Sequence, residues 1–158
     1  MDWLLWAPFI AAVLHIGEEF AWPGGFLAWY RQYRPAIAKS LTVRFAVFIN
    51  GLLLMGCLGA ALNGPTAQGA ALWLTMVGIL FSNVGFHTLA VWRTRRYAPG
   101  VVTAVLLYLP LAVYGFWHFT SAGLASLGTA LVALLVGGSY PIWSWLMHHR
   151  RSAATDAA

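Results

Sequence analysis

Residues 43–62 read VRFAVFINGLLLMGCLGAAL, and Arg44 is the only charged side chain among them. A helix rises about 1.5 Å per residue, so a run of this length can cross the roughly 30 Å hydrocarbon core of a bilayer. Similar apolar runs precede and follow it, which predicts spans at about 3–22, 43–62, 70–92, 100–119 and 122–147. The sequence therefore predicts an all-α, polytopic membrane helix bundle with about five transmembrane helices.

The domain organisation follows from these spans and from the residues that separate them. Proline and glycine mark turns after the first, second and third spans. We expect a single transmembrane domain over residues 1–149 and a polar, disordered tail over 150–158. The break at Thr120-Ser121 is the shortest, which leaves open a four-span bundle with one re-entrant segment.

The composition excludes an ordinary soluble domain. Of the 158 residues, 61% are hydrophobic and 8% are charged, and the mean hydropathy is +0.73. The formal net charge is +5, but the basic residues lie beside the spans, so we expect no nucleic-acid partner. All nine fall between spans one and two, at the very start of span two, between spans three and four, or after span five. The positive-inside rule then predicts an outside N-terminus and a cytoplasmic C-terminus, as in a protein of the bacterial inner membrane.

Ionisable side chains inside the first span are the strongest functional signal. The chain has only four acidic residues, and two of them, Glu18 and Glu19, end the run His-Ile-Gly-Glu-Glu that begins at His15. Embedding such groups in a bilayer is costly, so those that occur usually serve a function. On a helix, Glu18 lies about 60° to one side of His15 and Glu19 about 40° to the other. All three side chains therefore project from one face.

Polar residues of two other spans are expected at the same depth. Asn50 lies in span two, and Asn83 and His87 lie in span three at a spacing of four residues. Residues at this spacing share a helix face. We therefore predict a buried polar cluster in the cytoplasmic half of the bundle.

The motif His15-x-x-Glu18-Glu19, together with Asn83, His87 and the segment Tyr97-Ala98-Pro99-Gly100-Val101-Val102-Thr103, resembles the membrane-protein family named for its HXXEE motif. The resemblance covers most of the chain, from span one to about span four. It implies a membrane protein with a site at these residues, and it implies no substrate. Intramembrane glutamate proteases also carry a Glu-Glu pair. Here, however, Pro23 stands where they have arginine, so we treat them as a chemical analogy.

This set of residues suits a metal or acid–base centre. Two histidines and a glutamate with one open position form the ligand set of a catalytic zinc site. The second glutamate would act as a general base, and the asparagines would orient a carbonyl group or hold the water. The expected catalytic residues are Glu18, Glu19, Asn50 and Asn83, and the expected ligands of one zinc or iron ion are His15, Glu18, Glu19 and His87.

We therefore predict an enzyme that acts on a membrane lipid or hydrophobic small molecule, with metal-assisted hydrolysis as the leading reaction and a homodimer as one assembly. Other functions stay open. Two carboxylates that share a proton, without a metal, could isomerise a lipid double bond or drive a small proton-coupled transporter. A structural subunit would instead have both glutamates solvated or paired with arginines. His148 and His149 are expected in the solvated tail.

Overall fold

The computed structural model describes residues 2–156 of the chain, with side chains for residues 3–153, and this part contains helices and no strands. It has five helical spans that are long and apolar enough to cross a membrane. They are Trp3–Phe20, Val43–Leu62, Ala67–Thr94, Val101–Ser121 and Leu127–Ala153. This confirms the predicted all-α bundle. A turn over 122–126 separates the last two of these candidate spans.

The first three spans are single helices, and the last two are interrupted. Helix α1 covers Asp2–Phe20, α3 covers Val43–Leu62 and α4 covers Ala67–Thr94. The fourth span joins α5 (Val101–Thr103), a π-helical turn (Ala104–Tyr108) and α6 (Leu109–Ser121); the fifth joins α7 (Leu127–Gly138) and α8 (Tyr140–Asp156). Between the first two spans, where only a loop is expected from the sequence, lie α2 (Phe26–Tyr33) and a 3₁₀ helix (Pro35–Ser40).

Hydroxyl side chains set where three of the helices begin. Thr42 accepts a hydrogen bond from the Phe45 amide at the start of α3. Thr66 does the same for α4 and Ser126 for α7. Each cap satisfies a backbone N–H that the first helical turn leaves without a partner. The starts of these spans are therefore encoded locally.

Helix α4 is the centre of the bundle and packs against α1, α3, α6 and α7. Trp73 on α4 is fully buried, and its indole N–H donates to the Leu4 carbonyl of α1 at 2.9 Å. Helix α7 crosses α4 so closely that a Cβ on Gly137 would lie 2.8 Å from the Gly78 Cα. Small residues at a crossing allow such an approach in membrane bundles. These contacts fix the helix that carries His87.

The C-terminal helix differs from the prediction. His148 is 5% exposed, with its Nδ1 2.5 Å from the Ser40 hydroxyl of the 3₁₀ helix, and Arg151 Nε donates to the Ser40 carbonyl at 3.3 Å. Helix α8 continues to Asp156, so the described part of the segment 150–158, which is predicted to be a disordered tail, is helical. The solvated position expected for His148 is wrong. Composition alone does not reveal that a distant segment supplies partners for these polar groups.

The outer surface of the spans is apolar. Val47, Met55 and Leu135 are each about two-thirds exposed or more, at 67%, 69% and 71%. Apolar side chains on the outside of long helices are suited to contact with lipid tails. The backbone N–H and C=O groups of these helices are paired within each helix, as a bilayer requires. The ionisable side chains of the HIGEE run lie on the inside instead.

Candidate metal centre

Three buried side chains, His15, Glu19 and His87, meet between α1 and α4. Their exposed fractions are 3%, 7% and 1%. Helix α1 places His15 and Glu19 one turn apart, and α4 brings His87 to the same point from the other side. One potential ligand atom from each residue lies within 4.8 Å of the others, so the three could hold a metal ion.

The distances between the ligand atoms of this group are closer to those between two ligands of one metal ion than to those of hydrogen bonds. Glu19 Oε1 lies 3.5 Å from His15 Nε2 and 3.4 Å from His87 Nε2. Hydrogen bonds from nitrogen to oxygen usually measure about 2.7–3.2 Å. Two ligands of a tetrahedral zinc ion, with bonds of about 2.0–2.1 Å, lie about 3.3–3.4 Å apart. The two distances to Glu19 therefore have the length expected around a small central ion, and all three ligand atoms lie within 4.8 Å of one another.

Glu18 does not join this group, although the sequence suggested it as a ligand or general base. Its Oε2 accepts from the Thr103 amide at 2.7 Å and from the Thr103 hydroxyl at 2.5 Å. Its Oε1 accepts from the Val102 amide at 3.1 Å and from the Tyr97 hydroxyl at 2.6 Å. A carboxylate that accepts four hydrogen bonds is held as an anion. The idea of a proton shared between Glu18 and Glu19 therefore does not fit the geometry.

The position of Glu18 has a clear electrostatic reason. Backbone N–H groups at a helix start have no partner within the helix and favour negative charge. Val102 and Thr103 lie in the first turn of the fourth span, and Glu18 satisfies their amides from α1. Glu18 thus joins the first span to the fourth, 84 and 85 residues further on.

Tyr97 completes this anchor from the preceding turn. Desolvation and the hydrogen bond to Glu18 raise the pKa of Tyr97 above its ordinary value. The phenol is therefore a stable donor at neutral pH, even though the residue is 44% exposed.

Thr103 connects the anchor to the candidate metal site. Its hydroxyl donates to Glu18 and lies 2.8 Å from His15 Nδ1. Because the hydroxyl hydrogen is committed to the carboxylate, the hydroxyl oxygen accepts from His15 Nδ1–H. This leaves the Nε2 lone pair directed toward Glu19 and His87. Metal-binding histidines are commonly oriented in this way by a second hydrogen bond.

The π-helical turn explains how Thr103 and Tyr108 both reach His15. On an ordinary α-helix, residues five apart point about 140° away from each other. In a π turn, hydrogen bonds join residues five apart and bring them to one side. The Tyr108 ring lies 4.7 Å from the His15 ring, between centroids. Within the described residues, its buried hydroxyl has no hydrogen-bond partner.

Gly100 allows the fourth span to begin directly beside the site. Its φ is +97°, a conformation that favours glycine. A Cβ at this position would lie 2.7 Å from His15 Cε1, 2.8 Å from His87 Cε1 and 3.0 Å from Glu19 Cγ. The absence of a side chain therefore makes room for all three candidate ligands.

The three candidate ligands open onto a cavity of about 280 Å³. Asn50 and Asn83, predicted to orient a substrate, both line it. Most of the remaining wall is apolar, with side chains from α3 and α4 such as Leu53, Met76 and Ile79. The structure thus brings every predicted site residue except Glu18 to one cavity.

A family model described as a protein of unknown function with an HXXEE motif matches residues 6–115. The chain belongs to this family. Neither the curated proteins nor the solved structures include a significant match to it. Within the HXXEE motif, the histidine and the second glutamate are candidate ligands, and the first glutamate binds the start of the fourth span.

Sequence reasoning did not assign roles to Tyr97, Gly100 and Thr103. Their segment was part of the resemblance, but no spacing rule connects a turn after the third span to a motif in the first. One signal for a separate partner of Glu18 is present in the sequence, namely that the two glutamates are adjacent. Neighbouring residues of a helix point about 100° apart, so two adjacent glutamates do not easily contact the same ion.

Proposed function

We propose that this HXXEE protein is a zinc-dependent hydrolase that cleaves an ester or amide bond of an amphiphilic molecule within the membrane. The observation that carries the proposal is the spacing of three buried ligand atoms on the wall of an apolar cavity. Two histidines and one glutamate leave one position of a tetrahedral ion for water or substrate, the arrangement found in catalytic zinc sites.

Zinc is the metal of this proposal because two histidines and one carboxylate form the protein ligands of known catalytic zinc sites. Iron is the alternative, since two histidines and a carboxylate on one face of an octahedral ion are typical of non-haem iron oxygenases. Metal analysis of the purified protein distinguishes the two.

The residues around the centre have distinct tasks in this proposal. A bound zinc ion would polarise the scissile carbonyl and make water a stronger nucleophile. One oxygen of Glu19 would hold the ion, and the other would accept the proton of the attacking water. Glu19 would pass that proton to the leaving alcohol or amine as the bond between the leaving group and the carbonyl carbon breaks. Asn50 or Asn83 would hold the carbonyl oxygen through an amide N–H.

A hydrophobic substrate is supported by the setting of the cavity. Its volume of about 280 Å³ is near the lower end for small-molecule sites, and its middle is lined by apolar side chains. The surrounding spans face lipid. An amphiphile dissolved in the bilayer would therefore bring its acyl chain into contact with Leu53, Met76 and Ile79.

The location of the site in the membrane follows from the distribution of charge. We propose the orientation that the positive-inside rule favours, with the C-terminus in the cytoplasm of a bacterial cell. The HXXEE motif ends at Glu19, three residues before Trp22. In this orientation that end of the first span lies near the cytoplasmic surface. Substrate would thus be reached from the inner leaflet.

The proposal is tested by hydrolysis of short- and long-chain p-nitrophenyl esters by purified protein in phosphatidylcholine vesicles. We expect activity that is lost on chelation, restored by zinc, and reduced at least about a hundredfold in Glu19→Gln, since the metal and the proton acceptor are both affected. His149→Ala, which removes an exposed histidine, is the matched control. Zinc-independent double-bond isomerisation or pH-driven flux, lost in Glu19→Gln, would support the metal-free alternatives instead.

A further inference from the structure

Helix α2 and the residue after it form one wall of the cavity, and the side chains on this wall become more polar from Phe26 to Arg34. Phe26, Tyr30 and Arg34 follow one another at intervals of four residues, and all three line the cavity. The Phe26 ring lies 6.2 Å from the His87 ring and 5.7 Å from the Tyr30 ring, between centroids. Eight residues of helix correspond to roughly 12 Å. Arg34, the residue that follows the end of α2, therefore lies further along the same wall than Phe26 does.

Arg34 is placed as a cation that faces a binding cavity. It is half-buried, and its guanidinium carbon lies 5.1 Å from the Phe86 ring and 5.7 Å from the Tyr33 ring. Stacking of this kind fixes the plane of a guanidinium, and the Arg34 guanidinium also forms a hydrogen bond with the Tyr30 side chain. A guanidinium carries five N–H groups, so this bond leaves others for a ligand. Among the described residues, no carboxylate lies within ion-pair distance of Arg34.

The neighbours of Arg34 add further hydrogen-bonding groups and positive charge. The His148 ring lies 5.5 Å from the Tyr30 ring, and both residues line the cavity with Arg34. Arg151, which binds the Ser40 carbonyl, lies in the same region through its contact with Phe45. The two glutamates of the HXXEE motif are both engaged elsewhere. Among the described residues that line the cavity, Glu19 is the one acidic residue, and it lies at the candidate metal centre, so the end at Arg34 is basic.

We propose that this end of the cavity binds the anionic group of an amphiphilic ligand, a phosphate or carboxylate, with Arg34 as the main contact. The apolar middle then holds the hydrocarbon part. The inference rests on the proposed function in one respect: it names the class of substrate, an ester or amide whose far end carries a negative charge. Arginine suits this role because its fork of N–H groups matches both anions.

The test measures equilibrium binding of radiolabelled dodecyl phosphate to the full-length protein in phosphatidylcholine nanodiscs, with empty nanodiscs subtracted. Arg34→Gln is expected to weaken binding about ten- to a hundredfold, since a charge-assisted contact is lost. Arg34→Lys should restore part of the affinity. Arg31→Gln, which removes an exposed cation from the same helix, should leave binding unchanged.

Competition identifies what is recognised. Dodecanoate should compete, whereas dodecanol and inorganic phosphate should compete poorly, because the ligand needs both an anion and a chain. Equal loss in Arg34→Gln and Arg31→Gln, or equal competition by dodecanol, would overturn the proposal. So would binding that is lost only in His87→Ala, since the anion would then bind at the metal centre.

The metal content of the same samples separates this inference from the proposed function. Arg34→Gln should retain zinc, because it lies away from the three candidate ligands. If the wild type holds no metal but binds dodecyl phosphate through Arg34, the hydrolase proposal fails and the anion site stands. If zinc is bound and Arg34→Gln changes nothing, the anion site fails and the hydrolase proposal stands.

Discussion

Gly100→Ala is expected to eliminate metal binding and to lower the stability of the protein. A Cβ at this position would lie within 3.0 Å of atoms of all three candidate ligands, so the histidine rings and Glu19 must move apart. Holding alanine at this positive φ adds about 1–3 kcal/mol of backbone strain. Zinc content and the midpoint of thermal unfolding in detergent measure the two effects.

Gly25→Ala is the control that separates backbone strain from displacement of the candidate ligands. Gly25 has a φ of +87°, and a Cβ there would meet nothing within 4 Å. We expect this variant to lose stability by a similar backbone term but to keep its metal. Full zinc occupancy in Gly100→Ala would show that the three side chains do not need the space beside Gly100, and would argue against the site as described.

Glu18→Gln is expected to destabilise the fold by at least about 1–3 kcal/mol, even without metal. An amide accepts through only one of its two end groups, so at least one N–H of Val102 or Thr103 loses its acceptor inside the protein. Each buried group left unpaired costs about 1–3 kcal/mol. Unfolding of chelated wild type and variant in detergent gives the difference directly.

Thr103→Val distinguishes the anchoring role of Glu18 from its influence on His15. It keeps both backbone amides on the carboxylate but removes the hydroxyl that orients His15 Nδ1. We expect a smaller loss of stability and a zinc affinity about 10–100-fold weaker, as for other second-sphere changes. A Glu18→Gln protein as stable as wild type would instead support a solvated glutamate, as in a purely structural subunit.

The sequence was sufficient for the fold and for most of the site because both depend on local patterns. Long apolar runs give helices that cross a membrane, and the spacing of His15 and Glu19 places them on one face. The free-energy cost of placing ionisable side chains in a bilayer then identifies which polar residues are candidates for a function. His87 could be matched to them by depth alone, since straight spans keep residues in register with the bilayer.

The remaining features depend on contacts between distant segments. The rotation of α1 relative to α4 decides that Glu19, and not Glu18, joins His87. A helical wheel does not predict this rotation, because it places the two glutamates at similar angles on either side of His15. The amides that bind Glu18 come from the fourth span, and the partner of His148 is Ser40 on the 3₁₀ helix. No periodicity in one segment predicts such pairings.

The most direct test of the account is metal content, measured by mass spectrometry on purified protein beside His15→Ala/Glu19→Gln. Histidine must be unprotonated to bind a metal, so purification at neutral pH or above without chelators is essential. The account predicts about one zinc ion per chain in the wild type and in the His149→Ala control, and none in the double variant. A wild type without metal after zinc is supplied, or zinc retained in the double variant, would contradict it.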